Sequence, residues 1–417
     1  FIQGTVVGLP RTARVRVLPA LKNARPARAR ITPCYYSTRF STPEAAEAFA
    51  ANCIASGITW TYGTVNNDIA PLLLAEGNRV ILSIGWEPWS VLSGTRDLIE
   101  ERPDLAAVDF KGKRIAHTFC PTWVLAEGQP VIDALQKWLL GTVNSQQYAG
   151  ANWDVEQPVI DPPTFCTCER CLEAFRKFAQ IPADVALNAD ALLSSYPTQW
   201  TDFRCAQNAE MAGHIKRILS KADRPVEFSL YSGYQGKRTK EHYGVDWALM
   251  APHLDLAIAG YGGGRTEIRD TMAALGDVPF MGGEMWYLSD RDAAQPTPRM
   301  EMWRNRILRQ YANSGCNGCL IWWLPPMEGG SFYATSEAAQ IIAANEDFFL
   351  ETQRCDEKVQ VEGLSAENWF AFEKDGTVLV MLLSFQDKAL EASVTLGERK
   401  QDLIVEPFGV GLVRFEP

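Results

Sequence analysis

Apolar positions along this chain fall into two alternating rhythms. Short β-rich runs recur at RITPCYY (30–36), ITWTYG (58–63), RVILSIGW (79–86), GANWDVE (150–156), VEFSLYSG (226–233), LDLAIAGYG (254–262), VPFMGGEMW (278–286) and GCLIWWLPP (318–326). Between most of them lie stretches with helical spacing of apolar residues: TPEAAEAFAANCIAS, VIDALQKWLLGTV, CLEAFRKFAQ, CAQNAEMAGHIKRILSKA, DTMAALG and RMEMWRNRILRQYANS. Eight such βα units over about 300 residues predict an α/β fold, a (β/α)8 TIM barrel. A doubly wound open sheet is the competing architecture. It wants a glycine-rich phosphate loop after its first strand, and none is present. GYGGG (260–264) follows the sixth run and reads as a plain loop.

The rhythm changes after the helix-like SEAAQIIAANEDFFLETQRC. WFAFEKDGTVLVMLLSF, EASVTL and DLIVEPFGVGLVRF alternate with period two, and Asp375-Gly376 is a hairpin turn signal. The expected organisation is a β-like N-terminal segment (1–28), a catalytic barrel (29–355) and a small C-terminal β-sandwich (356–417). The first segment is either a strand or two added to the sandwich or the tail of an upstream domain.

Composition narrows the partners. A net charge of −10 and acidic balance argue against nucleic acid, whose phosphates need basic surface. No apolar run approaches the roughly 20 residues of a membrane span. The start at Phe1 shows no signal peptide and leaves cytoplasmic or exported location open. A homo-oligomer is possible. An organic cofactor is not expected. The expected partner is an oligo- or polysaccharide or a simple glycoside, because aromatic residues gather at successive strand ends. Trp86 and Trp89 follow strand three, Tyr231 strand five, Tyr261 strand six, Trp286 strand seven, and Trp322 and Trp323 strand eight. Sugar rings stack their C–H faces on such side chains. Alternation lets only one of Trp322 and Trp323 point inward, there to floor the reacting subsite. Glu87 is a further acid near the mouth that could bind hydroxyls. Arg265 could bind a carboxylate or sulfate on an acidic sugar, an exposed surface role being its default.

Chemistry in a barrel lies at the C-terminal strand ends. Strand four ends with Asn152, Asp154 and Glu156 on one face. Strand seven ends in Gly282-Gly283-Glu284-Met285-Trp286, where the glycines leave room for a ligand. Glu156 and Glu284 would supply the two carboxylates of glycoside hydrolysis. Asp154 would orient Glu156, raise its pKa, or serve the barrel wall. Strand-end acids also cap helices or pair with arginines, which is the plain alternative for each one.

This arrangement resembles clan A glycoside hydrolases, whose acid/base follows strand four and nucleophile strand seven. More narrowly it is similar to the family 42 β-galactosidases. Their acid/base glutamate ends an Asp-Asn-Glu run, and a Cys-x-Cys-x-x-Cys cluster then leads into an Ala-Phe-Arg helix. Here the run is Asp154-Val155-Glu156, followed by Cys166, Cys168 and Cys171 and then LEAFRKF. The resemblance implies a retaining enzyme on β-linked sugars, galactosides first, with Glu156 as acid/base and Glu284 as nucleophile. Tyr231 would hydrogen-bond that nucleophile. Val155 departs from the pattern. The family's asparagine holds the sugar 2-hydroxyl and valine cannot, so either the sugar lacks a free 2-hydroxyl there or another group serves. The run Asn152-x-Asp154-x-Glu156 is also similar to chitinase-type barrels. In those the substrate's own acetamido group attacks, the aspartate steers it and the glutamate is the acid, which would leave Glu284 only a binding role. The glycine-rich setting of Glu284 beside Trp286 favours two carboxylates. A barrel that binds carbohydrate without turnover is a further alternative. An aldolase would want a strand-end lysine and a metal-dependent hydrolase a histidine cluster; neither is present.

Cys166, Cys168 and Cys171 are three thiols in six residues, and Cys120, on the loop after strand three, is a candidate fourth. Four thiolates suit structural zinc and leave no open position for catalysis. The family resemblance implies the same ligand set. Free thiols or a disulfide are the alternatives. Cys316 and Cys319, and the isolated Cys34, Cys53, Cys205 and Cys355, read as core residues.

Overall fold

A computed structural model describes residues 17–34, 40–63, 69–85, 87–92, 94–156, 165–286, 300–323, 329–350 and 353–417. All eight expected strands are present and close into a parallel barrel. They are Arg30–Cys34, Trp60–Gly63, Arg79–Ile84, Gly150–Asp154, Glu227–Ser232, Leu256–Ala259, Phe280–Trp286 and Gly318–Trp323, called strands one to eight below. Each hydrogen-bonds its sequential neighbours, and strand one closes on strand eight. Both faces are buried, so the strands read as near-continuous apolar runs.

Alternation sorts the side chains into two layers. Trp60, Tyr62, Ile81, Tyr231, Leu256, Ile258, Met281 and Leu320 fill the barrel interior with Cys34. The intervening residues, among them Ile31, Val80, Trp153, Leu230, Ala257 and Ile321, meet the surrounding helices. The expected helices appear at Pro43–Ala55, Gln129–Ser145, Glu169–Phe178, Pro197–Leu219, Arg265–Leu275, Met300–Asn313 and Gly329–Leu350. Thr42 begins the first of these by accepting the Ala45 N–H at 3.3 Å, and Pro43 supplies a fixed φ where no donor is needed. An excursion not foreseen from the pattern follows strand three: a hairpin of Ala106–Val108 and Arg114–Phe119, then a short helix, Pro121–Glu127.

Residues 17–28 form no strand. They lie against the barrel, where the Ala27, Arg28 and Ala29 N–H groups donate to the Glu346 carboxylate at 2.6–2.8 Å. The C-terminal unit is a two-sheet sandwich. Gln353–Arg354, Trp369–Lys374, Thr377–Leu383 and Val410–Phe415 form one sheet; Val359–Glu362, Leu390–Leu396 and Arg399–Val405 form the other. Asp375 and Gly376 have φ of 51° and 77° and make the hairpin turn whose twist matches the strands. Asn305 ties barrel to sandwich, its amide donating to the Ser384 carbonyl at 2.7 Å and the Phe408 carbonyl at 3.0 Å. No described helix is long and apolar enough to cross a membrane.

Candidate active site

The strand registers bring one layer of side chains to the C-terminal mouth. Cys34 pairs with Tyr62 on one side and Trp322 on the other, Trp322 with Met285, and Asp154 with Tyr231. They surround a pocket of about 430 Å³, within the range of small-molecule sites. Glu156, just past strand four, and Tyr261, just past strand six, complete the wall. Asp154, Glu156, Tyr231, Tyr261 and Trp322 are thus brought together. Tyr62, Met285 and Cys34, which the sequence reading had passed over or assigned to the core, join them. For Cys34 and Tyr62 the signal was the same alternation that selected Asp154, applied to strands one and two; Met285 lies on strand seven, opposite in parity to Glu284.

The pocket gathers three phenols around two carboxylates. Burial pushes the hydroxyls of Tyr62, Tyr231 and Tyr261 well above the ordinary phenol value, and nearby negative charge, Asp154 for all three, pushes the same way. All three therefore stay protonated as donors at neutral pH. The Tyr231 and Tyr261 rings lie 5.6 Å apart, and Trp322 lies 6.1 Å from Tyr261. This aromatic wall is suited to a sugar face. Asn152 shares the face of Asp154 but sits one layer deeper, its amide donating to Ser229 Oγ at 2.9 Å. It is buried in the barrel floor, away from the pocket lining.

Glu284 is not brought to the pocket. Met285 lines the cavity, so alternation turns Glu284 outward toward the helix Met300–Asn313. There it is 4% exposed, accepts from Gln310 Nε2 at 3.2 Å and pairs with Arg309 at 3.6 Å. Burial raises its pKa, against the pull of Arg309 and Arg306. The glycines before it serve packing. A Cβ on Gly282 would stand 2.8 Å from Gln310 Oε1, and one on Gly283 would stand 3.1 Å from the Tyr261 ring. Tyr231, expected beside Glu284, stands next to Asp154 instead. Val155 also faces the helix layer and is fully buried, while its N–H donates to the Tyr231 carbonyl at 2.9 Å.

Two further expectations are corrected. Trp89 is fully buried, 6.5 Å from Trp153 and 6.4 Å from Phe165, and packs beneath the strand-four loop. Arg265 spans to the sandwich. It pairs with Asp356 at 3.1 Å, donates to the Trp369 carbonyl, and its guanidinium lies 4.8 Å from the Phe370 ring centre. Trp86 and the side chains of Glu87, Trp286 and Trp323 lie outside the described residues.

Cys120, Cys166, Cys168 and Cys171 converge, with all four sulfurs within 4.8 Å of one another and none in a disulfide. Cys120 to Cys168 is 3.4 Å, Cys120 to Cys171 is 3.5 Å and Cys166 to Cys168 is 3.6 Å. Tetrahedral thiolates at the usual zinc–sulfur distance of about 2.3 Å would stand about 3.8 Å apart, so the set fits a metal ion. Cys120 precedes the helix Pro121–Glu127 and Cys168 the helix Glu169–Phe178; within the cluster the neighbouring thiols hold Cys168 below the ordinary thiol value and Cys120 above it. Burial works against ionising Cys171. The other three thiols and the Arg204 charge nonetheless hold it well below the ordinary thiol value. Arg204, over the Trp200 ring at 4.4 Å, donates to the Phe165 and Cys166 carbonyls and so anchors the same loop.

This is a closed parallel barrel with its cavity at the C-terminal mouth, the fold of clan A glycoside hydrolases. The GH42 β-galactosidase Gan42B is similar over 95% of this chain and 100% of its own, with a TM-score of 0.62 and 8% identity. A β-galactosidase from Bacillus circulans sp. alkalophilus matches 79% of the chain at 13% identity and a TM-score of 0.53, and the chain spans 58% of that protein's length. The catalytic domain of a β-amylase from Paenibacillus polymyxa matches 77% of this chain and 99% of its own, at 11% identity and a TM-score of 0.53. No family model and no curated protein sequence matches the chain.

Proposed function

We propose that this protein is a glycoside hydrolase that cleaves β-linked 2-acetamido sugars by substrate assistance, with Glu156 as acid/base and Asp154 steering the acetamido group. The observation that carries this reading is the placement of the acids. Asp154 and Glu156 share one pocket with Tyr62, Tyr231, Tyr261 and Trp322, whereas Glu284 faces the helix layer. Two-carboxylate retention on a galactoside, the reading drawn first from sequence, needs a second carboxylate across the pocket from Glu156. Among the described residues, Asp154 and Glu156 are the carboxylates that line it.

In the first step the acetamido carbonyl oxygen forms a bond to C1 as the bond from C1 to the glycosidic oxygen breaks. The Glu156 carboxyl proton passes to that leaving oxygen. Positive charge spreads onto the amide nitrogen, whose N–H is held by the Asp154 carboxylate. In the second step water bonds to C1, its proton passes to Glu156, and the acetamido group reopens. Attack from the ring face opposite the leaving group requires the two substituents to be trans, hence the β anomer in gluco and galacto sugars. Trp322 floors the reacting sugar and the three tyrosines are placed to donate to its hydroxyls.

The four cysteines we assign to structural zinc. It would pin the loop after strand four to the hairpin after strand three, where the Thr167 N–H already donates to the Val108 carbonyl at 2.7 Å. It would leave no position for a reacting water.

The test of the mechanism is hydrolysis of aryl 2-acetamido-β-glycosides in which the acetyl methyl carries zero to three fluorines. A participating carbonyl makes kcat fall steeply with each fluorine. A flat series sinks substrate assistance. Cleavage of aryl β-galactosides but of no 2-acetamido sugar returns the two-carboxylate reading.

A further inference from the structure

Glu156 borders a second hollow. A recess of about 390 Å³ adjoins the pocket on the side of strands five and six, walled by Tyr234, Tyr243, Gly262, Gly263, Lys237 and Arg238. The two hollows share Glu156, Tyr231 and Tyr261 and therefore meet along that line. Asp154 and Trp322 belong only to the first.

This division has a chemical meaning on the glycosidase reading above. A general acid must stand at the oxygen that joins the two halves of the substrate. With Glu156 at the junction, the attacked sugar lies over Trp322 beside Asp154 and the departing group lies in the recess. We propose that the recess binds the leaving group as a second sugar, and that this sugar bears an anionic substituent, a carboxylate or sulfate ester, held by Lys237 and Arg238.

Charge within the recess supports the second half of the proposal. Its two acids are both occupied. Glu267 accepts the Gly264 N–H at 3.1 Å, and Glu156 is neutral in its proton-donating form. Among the described residues Arg238 forms no ion pair, and Lys237 meets only Glu241, at 3.6 Å on open surface. The reactive state thus leaves two cations facing one carboxylate. The role foreseen for Arg265, committed to Asp356, falls to these two side chains instead.

The experiment compares kcat/KM for four substrates sharing one 2-acetamido-β-sugar: an aryl glycoside and disaccharides ending in glucose, glucuronate or glucose 6-sulfate. Wild type and Lys237→Ala/Arg238→Ala are measured side by side. The wild type is expected to prefer a disaccharide to the aryl glycoside. It should prefer a charged disaccharide to the glucose one by about tenfold, as charge-assisted hydrogen bonds allow. That charged-to-neutral ratio should collapse toward one in the double variant and shrink with added salt. Equal treatment of charged and neutral leaving groups, or a preference that survives the double variant, overturns the proposal. Calorimetric binding of the same disaccharides to Glu156→Gln asks the question without turnover. Tighter binding of a charged disaccharide supports the recess even where no cleavage occurs, and equal binding refutes it. Unimpaired hydrolysis by Glu156→Gln would instead remove the catalytic role of Glu156 and leave the binding result standing.

Discussion

Replacing Glu284 by glutamine separates a reacting carboxylate from a packed one. The pair with Arg309 at 3.6 Å is worth on the order of 4–5 kcal/mol gross at the effective permittivity of a site near the surface. Two effects oppose it. The Arg309 side chain is 27% exposed, so water screens the attraction, and burying the Glu284 charge costs several kcal/mol. The carboxyl is nonetheless shifted upward, so desolvation outweighs the arginine. A group whose folded pKa lies above its unfolded value stabilises the fold below the unfolded value, near 4.5, and loses that contribution as pH rises through the folded one. At pH 7 Glu284 is therefore held at a cost. Glu284→Gln removes the charge and keeps an acceptor for Gln310, so its stability should lie within about 1 kcal/mol of wild type, on the favourable side. Its advantage should vanish below about pH 4.5. Glu284→Ala leaves a cavity, an unmatched Gln310 amide and an arginine without its acid, and should cost about 2–4 kcal/mol. Denaturant unfolding at pH 4 and 7 measures both. The kinetic expectation is that kcat of Glu284→Gln stays within about threefold of wild type. A loss of about a thousandfold or more in a variant that unfolds normally would refute this reasoning and place Glu284 in the reaction.

Glu156→Gln and Asp154→Asn should each lower kcat on an aryl 2-acetamido-β-glycoside by about 10²- to 10⁴-fold with little change in melting temperature; retained activity in either removes it from the mechanism. Metal analysis should find about one zinc per chain, and chelation or Cys171→Ser should lower the melting temperature; protein without metal whose stability is indifferent to chelators would show a plain thiol cluster. Arg265→Ala should destabilise the protein by about 1–3 kcal/mol, since Asp356 and the Trp369 carbonyl lose a charged partner, while kcat/KM stays unchanged for neutral and anionic substrates alike. A selective loss on anionic substrates would restore Arg265 to the binding site.

Local pattern alone carried the architecture. Each barrel strand is buried on both faces and so reads as an apolar run, and each helix repeats its apolar stripe every three to four residues. Those periods survive in the linear chain, as do the Asp375-Gly376 turn and the spacing of the cysteines. Period two also placed Asp154 and Glu156 on a common face. It could not say which parity of strand seven looks inward. Gly282 and Glu284 share one side, Gly283 and Met285 the other, and both sides are equally plausible as text. The choice is made by the register with strand eight, where Met285 pairs with Trp322, and by Gln310 on a helix that needs the space left by Gly282. Tyr62 and Cys34 entered the pocket for the same reason. Arg265 left it because its partner Asp356 stands 91 residues along the chain. Sequence determines what each segment is, since propensity and periodicity are local. Only the closed barrel decides what each side chain faces, since that depends on register and on partners far away in the chain.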